Sequence, residues 1–166
     1  MKRLSQIISI AIFIAIPVIC FAAQFKVVRV TDGDTIKVVN NGKASTIRLV
    51  AIDAPETSKK KNQPGQPFSK KSTKYFASLV LKKSVEVKSY STDRYGRTLG
   101  VIFVGDKNVN LEMVKAGLAE VYRGRPAKGF DLKPYWNAEV EAKKAGVGMW
   151  SLEDKYISPK EWRRMQ

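Results

Sequence analysis

Apolar positions along this chain cluster first into short runs rich in Val, Ile and Thr. "FKVVRV" (25 to 30), "TIKVV" (35 to 39) and "STIRLVAI" (45 to 52) read as β-strands. "TDGD" joins the first two and "NNGK" the next two, each carrying the Asp-Gly or Asn-Gly signal of a tight hairpin, so three antiparallel strands are expected. "ETSKKKNQPGQP" (56 to 67) has no periodicity and reads as an exposed loop. Helical spacing then appears at positions 68, 75, 76, 79 and 80, predicting a helix over 68 to 81.

Two further strands, "SVEVKSY" (84 to 90) and "TLGVIFV" (98 to 104), flank the polar turn "STDRYGR". "VNLEMVKAGLA" (109 to 119) and "YWNAEVEAKKAG" (135 to 146) read as helices stopped by Gly117 and Gly146. In "SPKEW", Ser158 stands as N-cap, Pro159 at the first helical position and Glu161 at the capping-box position. Five strands with a helix after the third and helices at the end form an α+β pattern compatible with a five-stranded OB-fold β-barrel carrying about three helices.

The first 22 residues change the picture of what folds. Lys2 and Arg3 precede an apolar run from Ile7 to Phe21 with small residues behind it, the grammar of a secretory signal peptide. Cleavage after Ala22 puts Cys20 and Ala22 at the small positions, leaving one domain over residues 23 to 166. An uncleaved membrane anchor is the competing reading. Its uninterrupted apolar stretch falls short of the roughly 20 residues a spanning helix needs. A secreted or periplasmic protein is therefore expected, a monomer with no stable membrane partner.

The remainder has no cysteine, and no histidine occurs anywhere. His-based triads, proton shuttles and the commonest zinc sites are thereby excluded. Lys and Arg number 30 against 15 Asp and Glu, a net charge of +15 that favours a polyanionic partner. Hydrolysis in such a chain would have to run on carboxylates, arginines and a hard metal ion.

Taken singly, "DGDT" (32 to 35), "DAPE" (53 to 56) and "DRYGR" (93 to 97) are ordinary turns and strand exits. Together they offer more. Hairpin pairing can bring Asp34, at the start of the second strand, to Asp53, at the end of the third, as oxygen ligands for a hard cation. Arg48 and Arg97 add planar forks for phosphate oxygens, and Glu56 remains as a base. The lysines 59 to 61 would gather a polyanion or simply solvate a loop tip.

The ordered set "DGDT", "RL", "DAPET", "DRYGR", followed by "NLEMVKAGLAEVY" and "AKKAGVGMW", resembles the staphylococcal nuclease family, the thermonucleases. That resemblance implies an OB barrel with helices and Ca²⁺-dependent hydrolysis of phosphodiester bonds in DNA and RNA, leaving 3′-phosphates. It implies Asp34, Asp53 and the backbone carbonyl of Ala54 as calcium ligands, Arg48 and Arg97 as a phosphate clamp, and Glu56 as general base. Tyr95 matches a phosphate-contacting tyrosine. Tyr122 lies one position from the family's base-stacking tyrosine, where this chain has Arg123. Ala54 stands where the best-known member has Thr. The rival expectation is a binding-only OB module, since degenerate members of this fold keep the barrel and lose the site.

Overall fold

Strand β1 (Gln24–Val30) opens a computed structural model that describes residues 23 to 58, 60 and 62 to 166; residues 1 to 22, where the signal peptide is expected, and Lys59 and Lys61 lie outside the described residues. Strands β2 (Thr35–Asn40) and β3 (Lys43–Leu49) continue as an antiparallel meander. Their connection at Asn41-Gly42 has positive φ at both residues, 47° and 75°, the requirement of the hairpin turn that matches strand twist. The β1–β2 connection differs from expectation. Gly33 has no left-handed φ; instead, a Cβ there would lie 2.1 Å from Ser72 Oγ and 2.7 Å from Ala54 Cβ, so close approach explains the glycine.

The third apolar run does not continue as one strand to position 52. Leu49 ends β3, Ala51 adopts φ 67°, and a two-residue strand β4 (Ile52–Asp53) leaves the barrel to pair antiparallel with β8 (Glu120–Val121). The turn between them is gripped by Asn110, which is fully buried. Its Nδ2 donates to the carbonyls of Val50 and Gly100 at 3.0 and 3.1 Å, and its Oδ1 accepts from the Ile102 amide at 3.0 Å. A buried amide so satisfied fixes the path that delivers Asp53 and Glu56.

Helix α1 (Ser69–Val80) buries Ser69, Ser72, Phe76 and Val80, one face at helical spacing. The serines belong to that face because Ser72 Oγ donates to the Leu118 carbonyl at 2.8 Å. Strand β5 (Ser84–Thr92) pairs with β1 and with β6 (Thr98–Val104), and β-bulges in β1 and β5 curl the sheet. Parallel pairing of β3 with β6 then closes a five-stranded barrel, with short β7 (Lys107–Asn108) at its margin. The fold is the α+β OB barrel the sequence predicts.

Helix α2 (Val109–Lys115) is shorter than the predicted 109 to 119, since the chain must pass Gly117 at φ 61° to enter β8. Gly117 and Gly148 stand back to back: a Cβ on either would lie 2.2 Å from the other segment's backbone, and Met149 N donates to Gly117 O at 2.8 Å. Helix α3 (Lys133–Lys144) ends before Gly146, and a 3-10 segment (Gly148–Lys155) leads to α4 (Pro159–Arg164). On α4, Ser158 and Glu161 make the expected capping box with Pro159 at the first position. The core lies inside the barrel, from Val27, Ile36, Ile47 and Ile102, and beneath α1 and α2, with Phe76 and Met113 among its fully buried side chains.

Candidate active site

Strand register assembles the site. Thr35 faces Arg48 in the β2–β3 pair, and Ile47 faces Thr98 in the parallel β3–β6 pair, so Asp34, Arg48 and Arg97 emerge at one end of the barrel. They line a cavity of about 980 Å³ together with Ala54, Glu56 and Tyr95. Tyr122 also lines it, so all the sequence-derived residues but Asp53 are on its wall. Asp53 sits just behind, 1% exposed, hydrogen-bonded to two guanidiniums of that wall.

Arg48 is the hub. Its Nη1 donates to Asp34 Oδ1 at 2.8 Å and its Nη2 to Asp53 Oδ1 at 2.9 Å, one planar fork holding two buried carboxylates. Burial opposes its charge, but Asp34 and Asp53 outweigh burial and raise its pKa above the ordinary arginine value. The meeting of Asp34 and Asp53 expected from the hairpin is therefore present, with Asp34 Oδ2 also accepting the Ala54 amide at 3.2 Å.

Arg97 is held differently. Asp93 Oδ2 accepts its Nε at 2.8 Å and its Nη2 at 2.7 Å, while Asp93 Oδ1 accepts the amides of Tyr95 and Arg97. Partial burial works against the Asp93 charge, yet these bonds hold it below the usual carboxylate range. Gly96 takes φ 76° and closes this turn. Tyr95 is 67% exposed and has two guanidiniums beside its ring, Arg94 at 4.8 Å and Arg97 at 5.4 Å from its centre.

Several participants escaped the sequence reading. Arg163, on α4, donates through Nη1 to Asp53 Oδ1 at 3.0 Å and through Nη2 to Asp53 Oδ2 at 2.7 Å, and its Nη1 also meets Glu56 Oε1. Nothing in "EWRR" distinguishes this arginine from its neighbour, and the contact spans 110 residues. Gln66 is the second. The loop 56 to 67 is exposed only in part, because Gln66 is buried: its Oε1 accepts the Glu56 amide at 2.9 Å and its Nε2 donates to Ile157 O at 2.7 Å. Asp32 is the third, raised to about 7 by burial and by the like charge of Asp34. Arg123 faces elsewhere, stacked on Trp136 at 4.4 Å and paired with buried Glu139 at 2.6 Å.

The donor set fits a hard divalent cation. A carboxylate oxygen has two lone pairs. Asp34 Oδ1 spends both, on the Thr35 hydroxyl and Arg48, and Asp53 Oδ1 spends both, on Arg48 and Arg163. Each Oδ2 accepts one bond and keeps one lone pair free among the described residues. Two such oxygens and a backbone carbonyl suffice only if water and phosphate complete the shell, as such cations accept. No group of three or more His, Cys, Asp or Glu placed to hold a metal occurs among the described residues.

Behind Asp53, the strand partner Glu120 is 3% exposed, its Oε2 accepting the Tyr156 hydroxyl at 2.7 Å. Burial is the main cause that raises its pKa, the Tyr156 bond and Arg123 opposing it and Asp53 and Glu139 adding to it. The folded state therefore binds this proton more tightly than the unfolded chain, so the buried carboxyl costs stability as pH rises above 4.5. Glu120→Gln is expected to melt higher than wild type at pH 7, the gain shrinking toward pH 4. Melting curves across that range check it, and an equal gain at both ends would refute the assignment.

A closed OB barrel whose open end gathers carboxylates between arginines defines the class of protein. Within that class the chain belongs to the family described as Staphylococcal nuclease homologue, whose profile matches residues 46–152. It is 41% identical over 149 residues to a protein of Escherichia coli named an uncharacterized endonuclease, covering 89% of either chain. It is 37% identical over 150 residues to the micrococcal nuclease of Shigella flexneri, covering 84% of this chain and 79% of that one. The thermonuclease of Staphylococcus hyicus is 35% identical over 129 residues, with 76% and 75% covered.

Proposed function

We propose that this protein is an exported, monomeric endonuclease that hydrolyses phosphodiester bonds of DNA and RNA with a divalent cation, calcium by family resemblance. The observation that carries the reading is one cavity end where Arg48 joins Asp34 to Asp53 and Arg163 joins Asp53 to Glu56, with Arg97 on the same wall. Membership of a nuclease family supports it. The +15 charge supports a polyanionic substrate.

Asp34 Oδ2, Asp53 Oδ2 and the Ala54 carbonyl would hold the cation, which when bound supplies charge opposite the phosphoryl oxygens. Arg97, fixed by Asp93, presents its free edge to the phosphate, and Arg48 places a second guanidinium beside it. Both oppose the negative charge that grows on the equatorial oxygens as the phosphorus becomes five-coordinate. Glu56 takes a proton from water as the new P–O bond forms and the P–O5′ bond breaks. The departing 5′-oxygen takes a proton from solvent water and leaves as a hydroxyl, the proton on Glu56 returns to solvent, and the phosphate stays on the 3′ side. Tyr95 and Tyr122 flank the nucleotide.

Export rests on the pattern of residues 1 to 22. No helix of the described residues is long and apolar enough to cross a membrane. Cleavage of single-stranded DNA, double-stranded DNA and RNA is expected in Ca²⁺ and absent in excess chelator. Gel assays on the three substrates check this; full cleavage in chelator overturns the cation's role, and binding without cleavage in any divalent ion would make the protein a binding module.

A further inference from the structure

Among the described residues, Arg163 is the one guanidinium of the cavity that bonds both Asp53 and Glu56. Its Nη1 lies between Asp53 Oδ1 and Glu56 Oε1, and its Nη2 takes Asp53 Oδ2. Asp53 and Glu56 draw its pKa upward against partial burial, the bond to Asp53 contributing most. The side chain is 39% exposed, so the contact is made by design of the backbone rather than by enclosure.

The backbone that places it is well determined. The capping box starts α4 at Ser158, Pro159 is buried, and Gln66 ties the Ile157 carbonyl to the Glu56 amide. One buried amide side chain thereby couples the segment carrying Arg163 to the segment carrying Glu56.

We propose that Arg163 is a positioning residue of the reaction: its fork takes one lone pair on each Asp53 oxygen, which leaves one on Oδ2 for the cation, and it holds Glu56 by Oε1, which leaves Oε2 for the water. The proposal rests on the nuclease reading above. A planar fork can span two carboxylates at once, which an ammonium on a flexible stem does not do in fixed geometry. It also sets one positive charge beside the place of a dication, which weakens cation binding while ordering the base. Turnover and cation affinity should therefore move in opposite directions when the charge is removed.

The test compares Arg163→Gln and Arg163→Lys in the full exported chain. Steady-state cleavage of DNA should show kcat lowered about 10- to 100-fold in both, with KM changed by less than about threefold, as loss of orientation predicts. Calcium titrated calorimetrically without substrate should bind several-fold tighter to Arg163→Gln and unchanged to Arg163→Lys. Melting curves confirm that each variant is folded, and if Arg163→Gln is not, Arg163→Lys decides. Wild-type kcat in a folded variant overturns the proposal, as does calcium affinity that falls together with kcat. A wild-type protein that cleaves nothing in any divalent cation overturns the nuclease reading itself.

Discussion

Glu56→Ala is expected to lower kcat by about 10²- to 10⁴-fold, the contribution of a positioned general base, while leaving KM and the melting temperature near wild type. The side chain is partly exposed, and its bond to Arg163 is made at the cavity wall, outside the core. The main chain of residue 56 is secured independently, because Gln66 accepts its amide and donates its own amide N–H to the Glu56 carbonyl at 2.9 Å. Truncation at Cβ therefore removes chemistry without releasing the loop. Glu56→Gln should resemble Ala in rate, since an amide can orient a water without accepting its proton. Stopped assays at saturating substrate read the effect, and a wild-type rate in either variant refutes the role of base.

Arg48→Ala should damage both activity and fold. Asp34 and Asp53 are 4% and 1% exposed, and Arg48 is the side chain that bonds to both. Without it Asp34 Oδ1 retains the Thr35 hydroxyl and Asp53 retains Arg163, so each buried charge loses one strong donor. Leaving buried acceptors short costs on the order of 1–3 kcal/mol, with charged groups at the upper end. For a chain of this size that is a fall of roughly 3–10 °C in melting temperature. Loss of an electrophile facing the growing charge should cost about 10²- to 10³-fold in kcat. Arg48→Lys should recover part of the stability and little of the rate. Thermal melts and kcat measured on the same preparations separate the two effects; unchanged stability would mean that the carboxylates need no bridge.

The barrel was legible because its strands carry the signals that local physics requires: β-branched runs, Asn41-Gly42 at a turn with two positive φ values, and a capping box on α4. That Asp34 and Asp53 come together was legible for a similar reason, since they flank the two strands of one hairpin. The break after Leu49 was not. Val50, Ala51 and Ile52 are as apolar as the strand before them, and the turn is imposed by Asn110, some sixty residues away. Gln66 and Arg163 were hidden by the same kind of distance. Gln66 sits in a stretch whose composition argues for solvent, and Arg163 among charges that are ordinarily solvated. Periodicity reports which face of an element is dry; it does not report which polar side chain reaches a distant segment.

The span of the Arg163 contact bears on how the chain arrives at this arrangement. Arg48 binds Asp34 and Asp53 across 14 and 5 residues, separations that a hairpin closes at small entropic cost, whereas Arg163 reaches Asp53 across 110. Contacts of such different separation are not expected to form together, since non-local closure governs the slow part of folding. The β2–β3 hairpin can bring Arg48 to Asp34 early, and Asp53 follows within five residues of Arg48 once the turn after Leu49 is set. Glu56 gains its partner only when α4 docks, so a half-folded chain would hold Asp34 and Asp53 on Arg48 while Glu56 stayed unordered.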